Sequence, residues 1–194
     1  MFFCIQQYLM NLINKQDLRN LQIKKLTSFA KTKQKMLEDR ILKDKFLNSS
    51  VLNKADSIGI FISMPLEVNT APIIPALWKI NKRVYIPRCL PKKRMEFTFY
   101  DKNTDLVKTK FGVLENHDPN VEVKNNLDLI IVPGLAYGLD KNSRLGFGGG
   151  YYDRFLERNP TQTLSLANSI QTFSQTTWLV ENYDIPIKNF ILTN

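Results

Sequence analysis

Cysteine and histidine are almost missing from this chain of 194 residues. The two cysteines, Cys4 and Cys89, are far apart, and one lies close to the terminus. They make no disulfide framework, and no Cys/His spacing suits zinc. The expectation is a reducing, cytoplasmic setting. His117 is the sole histidine, which excludes any mechanism needing two imidazoles. No apolar run approaches the ~20 residues of a membrane-spanning helix. Internal repeats, low-complexity tracts and linkers are absent as well. Glycine is scarce, and four of the eight glycines crowd between positions 146 and 150.

What remains is ordinary globular composition, 43% hydrophobic and 23% charged, in a length that fits one domain. Residues 1–14 are read as an N-terminal extension and 15–194 as the domain proper. The segment 1–13 is apolar, but Gln6, Gln7 and Asn11 interrupt it and no basic residue precedes it. It therefore reads poorly as a signal peptide. An added helical turn and an upstream start, with Met10 as the true one, both remain open.

The net charge of +9 is uneven: from Lys15 to Lys54 eleven Lys/Arg face four Asp/Glu, a net +7. A solvated helix face explains this, and so does attraction for a polyanion, either nucleic acid or nucleotide phosphates.

Apolar spacing predicts a helix over 16–31 with Leu18, Leu21, Leu26 and Phe29 in one arc. Lys15 and Arg19, four apart, project from one side of its first turn. A second helix is expected over 33–48, burying Met36, Leu37, Ile41 and Leu47. Buried strands are expected at 57–63, 83–87, 95–100, 127–132 and 163–167, with a last one near 190–192. Residues 106–115 read as a turn plus a short edge strand. Thr70 should cap a helix of about 72–81, and another helix should run from about 149 to 158. The alternation predicts a three-layer, Rossmann-like α/β domain: a mostly parallel sheet with helices on both faces, opened by an N-terminal helical hairpin.

The segment Arg144-Leu145-Gly146-Phe147-Gly148-Gly149-Gly150-Tyr151-Tyr152-Asp153-Arg154 carries the chemistry. Glycine permits positive φ and lets a ligand reach the backbone. A loop that opens a helix offers free N–H groups and the positive dipole end to phosphate. Arg144 and Arg154 can meet phosphate charge, and Asp153 can hold a magnesium ion. A plain flexible loop is the competing reading. No Gly-Lys-Ser/Thr follows, so this is not a Walker A loop, and it matches a dinucleotide fingerprint poorly.

Preceded by Val132-Pro-Gly-Leu-Ala-Tyr137, this segment closely resembles the signature of 5-formyltetrahydrofolate cyclo-ligases (5,10-methenyltetrahydrofolate synthetases). The resemblance spans about 15–193. It includes Lys15-Gln16-Asp17-Leu18-Arg19, Ile62-Ser-Met-Pro-Leu-Glu67, Phe111-Gly-Val and Glu181-Asn-Tyr-Asp184-Ile-Pro. It implies that ATP phosphorylates the formyl oxygen of 5-formyltetrahydrofolate. N10 then attacks the activated carbon, giving 5,10-methenyltetrahydrofolate, ADP and phosphate. No covalent enzyme intermediate is needed, which suits a chain with one histidine.

The resemblance also implies site roles. ATP would be held by Lys15, Gln16, Asp17, Leu18 and Arg19, and by Arg144, Leu145, Gly146, Phe147, Gly148, Gly149, Gly150, Tyr151 and Tyr152. The folate would meet Ile62, Glu67, Phe147, Gly148, Gly149, Gly150 and Tyr151. Magnesium, the implied cofactor, would be held by Asp153 and Asp184. Arg144 and Tyr151 are the implied catalytic pair. Several of these have structural alternatives. Glu67 could be a surface loop acid, Ile62 core, Asp184 a turn residue, and the two tyrosines packing for the helix start. Gly149 stands where several relatives carry lysine, and Tyr183 where histidine is common. The implied partners are ATP and the folate alone, with no nucleic acid or membrane, in a monomer or weak dimer. A nucleic-acid-binding protein and another ATP-dependent enzyme are the rival readings.

Overall fold

The computed structural model describes residues 12–109 and 112–193. The expectations for residues 1–11, Cys4 and Phe111 lie outside them. The chain runs α1 (Lys15–Phe29), α2 (Lys33–Leu47), α3 (Ser50–Asn53), β1 (Ser57–Gly59), α4 (Ile73–Lys79), β2 (Arg83–Leu90), β3 (Arg94–Phe99), β4 (Val107–Lys108), β5 (Leu114–Glu115), β6 (Leu129–Ile131), β7 (Ala136–Gly138), β8 (Ser143–Leu145), α5 (Tyr151–Arg158), β9 (Gln162–Ala167), β10 (Thr172–Phe173) and β11 (Asn189–Leu192).

Six strands form the central sheet in the order β11-β9-β6-β1-β2-β3. Every neighbouring pair is parallel except β2–β3, which is antiparallel. In the middle, Ile58 of β1 stands between Val84 and Leu129. The period of two then sorts the side chains to two faces. Leu129 and Ile131 pack with Leu42, Phe46, Leu52, Ile73 and Leu77 from α2, α3 and α4. Ile130 and Val132 pack with Phe155 and Leu156 of α5. Each such fully buried side chain contributes roughly 1.5–3 kcal/mol. The fold is therefore mixed α/β with a mostly parallel sheet, covered on both faces.

Beside it lies a smaller sheet, β10-β7-β8, against which α1 docks. Leu18 packs there with Ala136, Leu145 and Trp178. The two N-terminal helices thus follow one another through residues 30–32 but bury their faces in different clusters.

Three expectations need correction. In α1, Leu21 is exposed and Gln22 is buried in its place. Gln22 wins because its amide donates to the Leu135 and Ile170 carbonyls, at 3.0 and 3.1 Å. In α2, Met36 and Leu37 are exposed, and the buried stripe is Lys35, Glu38, Leu42 and Phe46. Two polar members are admitted because Lys35 pairs with Asp39 and Glu38 accepts from the Ser169 N–H and hydroxyl. Thr70 does not cap α4 through its side chain. Its hydroxyl donates to the Phe61 carbonyl at 2.8 Å, and Pro72 is the cap residue.

Candidate active site

The helix α5 is the crossover between the parallel neighbours β6 and β9, so its N-terminus lies at the carboxyl edge of the sheet. Ligands of open α/β sheets sit at that edge. The glycine loop does not follow β6 directly. The β7–β8 hairpin, which sequence reasoning missed, intervenes and delivers Arg144 and Leu145 to the root of the loop. Gly148 and Gly150 adopt φ of 98° and 66°, the left-handed region, and Gly150 is the cap residue of α5. The N–H groups of Phe147, Gly148, Gly149 and Gly150 donate to no described residue. The first-turn N–H groups of a helix add to this row of free donors.

Three arginines brace the loop from behind. Arg19 Nε donates to the Gly146 carbonyl at 3.0 Å, and Arg154 donates to the Gly149 and Lys93 carbonyls. Arg144, almost fully buried, donates to the Pro133 carbonyl at 3.1 Å and to Asp153 Oδ2 at 2.8 Å. Its guanidinium lies over the Tyr152 ring, 5.7 Å from the centroid. Asp153 Oδ1 accepts the Ile185 N–H at 3.3 Å, which brings the Asp184 segment alongside.

Lys15 reaches the same place from α1. Its ammonium contacts Glu181 Oε2 and Asp184 Oδ2, each at 2.7 Å. Burial works to lower the Lys15 pKa, but the hydrogen bonds to Asp184 and Glu181 outweigh it and hold the pKa above its ordinary value. The Tyr183 hydroxyl donates to Glu181, and the Tyr183 ring lies 5.6 Å from the ammonium.

Glu67 follows the carboxyl end of β1 and is buried, which removes the surface-acid alternative. Burial pushes its carboxyl up to about 7, against the lowering effect of one hydrogen bond from the Met64 N–H at 2.7 Å. Two nearby buried polar atoms, Tyr152 Oη and Arg144 Nε, have no hydrogen-bond partner. Burial also raises the Tyr152 hydroxyl far above its ordinary value, and the charge of Glu67 adds to that. Such orphaned atoms are rare in folded proteins and call for an explanation, such as a ligand group.

The structure therefore brings Lys15, Arg19, Arg144, Tyr151, Tyr152, Asp153 and Asp184 around the glycine loop. Gln16 and Asp17 are exposed, and their N–H groups are capped by the Asn14 side chain. Leu18 and Leu145 are core residues that fasten α1 to the root of the loop. Phe147 is exposed at the tip, while Ile62 packs partly against the core. Sequence reasoning passed over Glu181 as a site residue, although its spacing of three from Asp184 was visible. A cavity of about 590 Å³ beside β3, lined by Phe99, Asp105, His117, Asp118 and Glu122 among others, holds none of these residues. The free donors and orphaned polar atoms lie at the loop instead.

Fold and site together define an α/β protein that presents a glycine loop among paired charges at the carboxyl edge of its sheet. Residues 11–192 match the model of the 5-formyltetrahydrofolate cyclo-ligase family. The 5-formyltetrahydrofolate cyclo-ligase of Escherichia coli K12 is 33% identical over 143 residues, 69% of this chain and 75% of that protein. The Haemophilus influenzae enzyme of the same name is 28% identical over 190 residues, 94% of this chain and all of that one. The NMR structure of an Aquifex aeolicus 5,10-methenyltetrahydrofolate synthetase shares the fold, with a TM-score of 0.76 at 23% identity over 92% of this chain and 89% of that one. The chain belongs to the 5-formyltetrahydrofolate cyclo-ligase family.

Proposed function

We propose that this chain converts 5-formyltetrahydrofolate to 5,10-methenyltetrahydrofolate at the expense of ATP, releasing ADP and phosphate. Family membership supplies the reaction. The observation that carries its location is the row of unpaired backbone donors from Phe147 to Gly150, ringed by Lys15, Arg19 and Arg144. The strand order supports this reading, because it is the doubly wound, Rossmann-like order with its third strand reversed. Its switch point falls between β1 and β6, whose carboxyl ends lead to Glu67 and toward the glycine loop.

In the reaction the γ-phosphoryl group passes to the formyl oxygen. N10 attacks the formyl carbon and gives up its proton, and the oxygen leaves as phosphate. The loop amides bind and orient the phosphates, with the arginines holding the loop and its charge from behind, so catalysis rests on position and charge. Glu67, when ionised, accepts hydrogen bonds from the pterin N–H donors and fixes the folate. Tyr151 at the helix start borders both substrates, and the free Tyr152 hydroxyl and Arg144 Nε offer donors within the same pocket.

Asp153 and Asp184 are hard oxygen donors on adjoining segments, which fits magnesium bound by one or two carboxylates plus substrate phosphates. Among the described residues no set of three His, Cys, Asp or Glu forms a metal cluster, so substrate oxygens would complete the coordination. Bound there, magnesium would neutralise charge on the transferring phosphoryl group. The natural setting is the cytoplasm, with a monomer or weak dimer acting on small molecules and no nucleic-acid or membrane partner. No helix among the described residues is long and apolar enough to cross a membrane.

Mixing the protein with ATP, magnesium and 5-formyltetrahydrofolate tests the proposal. Methenyltetrahydrofolate absorbs in the near ultraviolet, where the substrate does not. A steady rise that needs all three components is expected, and no rise with freshly prepared folded protein would overturn the assignment.

A further inference from the structure

We propose that Glu181 is a positioning residue that makes nucleotide binding conditional on the divalent ion, by holding the Lys15 ammonium away from the phosphates until that ion arrives. This rests on the reading of the loop as an ATP site. Lys15 Nζ lies 2.7 Å from both Glu181 Oε2 and Asp184 Oδ2. Asp184 Oδ2 also accepts the Glu181 N–H at 2.8 Å, so one oxygen serves two donors before any metal is considered. Tyr183 fixes Glu181 from the other side through its hydroxyl. The ammonium is therefore clamped rather than free.

Charge counting shows what the clamp does. Lys15, Arg19, Arg144 and Arg154 face Glu181, Asp184 and Asp153, so the ring around the loop carries a net charge of only +1. A triphosphate alone, with about four negative charges, gains little there and meets three carboxylates. A divalent ion held by Asp153 and Asp184 would compete with Lys15 for the same Asp184 oxygen and would add to the positive charge of the ring, freeing Lys15 for phosphate. Lys15 lies one helical turn, about 6 Å, from Arg19, whose guanidinium already touches the loop at Gly146, so phosphate is within reach of a lysine side chain. Glu181 sets the threshold, since without it Lys15 would be held by Asp184 alone and the ring would carry one more positive charge before the ion binds.

The test is equilibrium binding of ADP or a non-hydrolysable ATP analogue by calorimetry, with magnesium and with EDTA, in wild type and Glu181→Gln. Wild type should bind much more tightly with magnesium. In Glu181→Gln the EDTA affinity should rise about fivefold while the magnesium affinity changes little, so the ratio shrinks. Tyr183→Phe, which loosens Glu181 without removing charge, should shift the ratio the same way by less. Equal ratios in wild type and Glu181→Gln would refute the proposal. So would a loss of affinity in magnesium, because that would make Glu181 a metal ligand. If wild type binds no nucleotide under either condition, the ATP site itself is at fault and not the clamp.

Discussion

Replacing Glu67 by Gln tests the interior of the site through stability rather than turnover. Glu67 is 7% exposed, accepts one hydrogen bond, and has its carboxyl raised from 4.5 to about 7 by burial. A difference of that size, at about 1.4 kcal/mol per pH unit, corresponds to about 3 kcal/mol. Below about pH 4.5 the folded and unfolded chains are both protonated at this residue, and it contributes no pH dependence. Between 4.5 and about 7 the unfolded chain gives up a proton that the folded chain keeps, so stability falls as the pH rises. Above about 7 the penalty is complete and constant.

Glutamine has no proton to lose, so the variant escapes this slope. Denaturant or thermal unfolding of both proteins from pH 4 to 8 reads it directly. The stability of the variant minus that of wild type should climb by about 3 kcal/mol across that window, or about 6–12 °C in Tm for a domain of this size. A difference that stays flat with pH would refute the buried, neutral carboxyl. The folate couples to the same group: pterin N–H donors favour the ionised form, so substrate binding near pH 6.5 should release protons, measurable by calorimetry in buffers of different ionisation enthalpy.

Three further outcomes are expected. Lys15→Ala should raise the KM for ATP about tenfold and the folate KM less, and the reverse order would remove Lys15 from the phosphate site. Asp153→Asn should weaken magnesium binding, and with it turnover, by about 10–100-fold, and near-normal rates at limiting magnesium would end its role as a ligand. Arg154→Ala should raise the ATP KM with little change in kcat, and Arg154→Lys should not restore it, because the guanidinium reaches the Lys93 and Gly149 carbonyls from two nitrogens of a planar fork that a single ammonium does not reproduce. Full recovery by lysine would mean that only charge matters there.

Much of the central fold was legible because its strands are buried on both faces and carry short apolar runs, as in 58–62 and 129–132. Boundaries shifted by a few residues where strand ends leave the ladder. The faces of α1 and α2 were misjudged for one shared reason. Spacing counts apolar residues, yet Gln22, Lys35 and Glu38 are buried by tertiary partners more than a hundred positions away or by a local ion pair. The β7–β8 hairpin escaped because Ala-Tyr-Gly and Ser-Arg-Leu carry no alternation, while pairing with β10 and packing against Leu18 and Trp178 are set by distant parts of the chain.

The candidate site was legible as a cluster where its residues are contiguous, from Arg144 to Asp153, and illegible where it is assembled across the chain. Lys15 meets Glu181 and Asp184 from 166 and 169 positions away. The arginines show why contact, not residue type, decides a role. Read along the sequence, Arg144 and Arg154 are cations waiting for phosphate. In the fold Arg19, Arg144 and Arg154 spend their donors on the Gly146, Pro133 and Gly149 carbonyls. A peptide whose carbonyl is held on one side turns its N–H to the other, since the two point in opposite directions across a planar trans unit. Arg19 and Arg154 thereby aim the Phe147 and Gly150 N–H groups away from themselves, and the positive φ at Gly148 and Gly150 lets the chain turn tightly between them. Positive charge is kept close behind the amides rather than exposed in front of them, where water would screen it. Under the proposed ATP site, phosphate selectivity would come from donors fixed before the ligand arrives, which costs little reorganisation on binding.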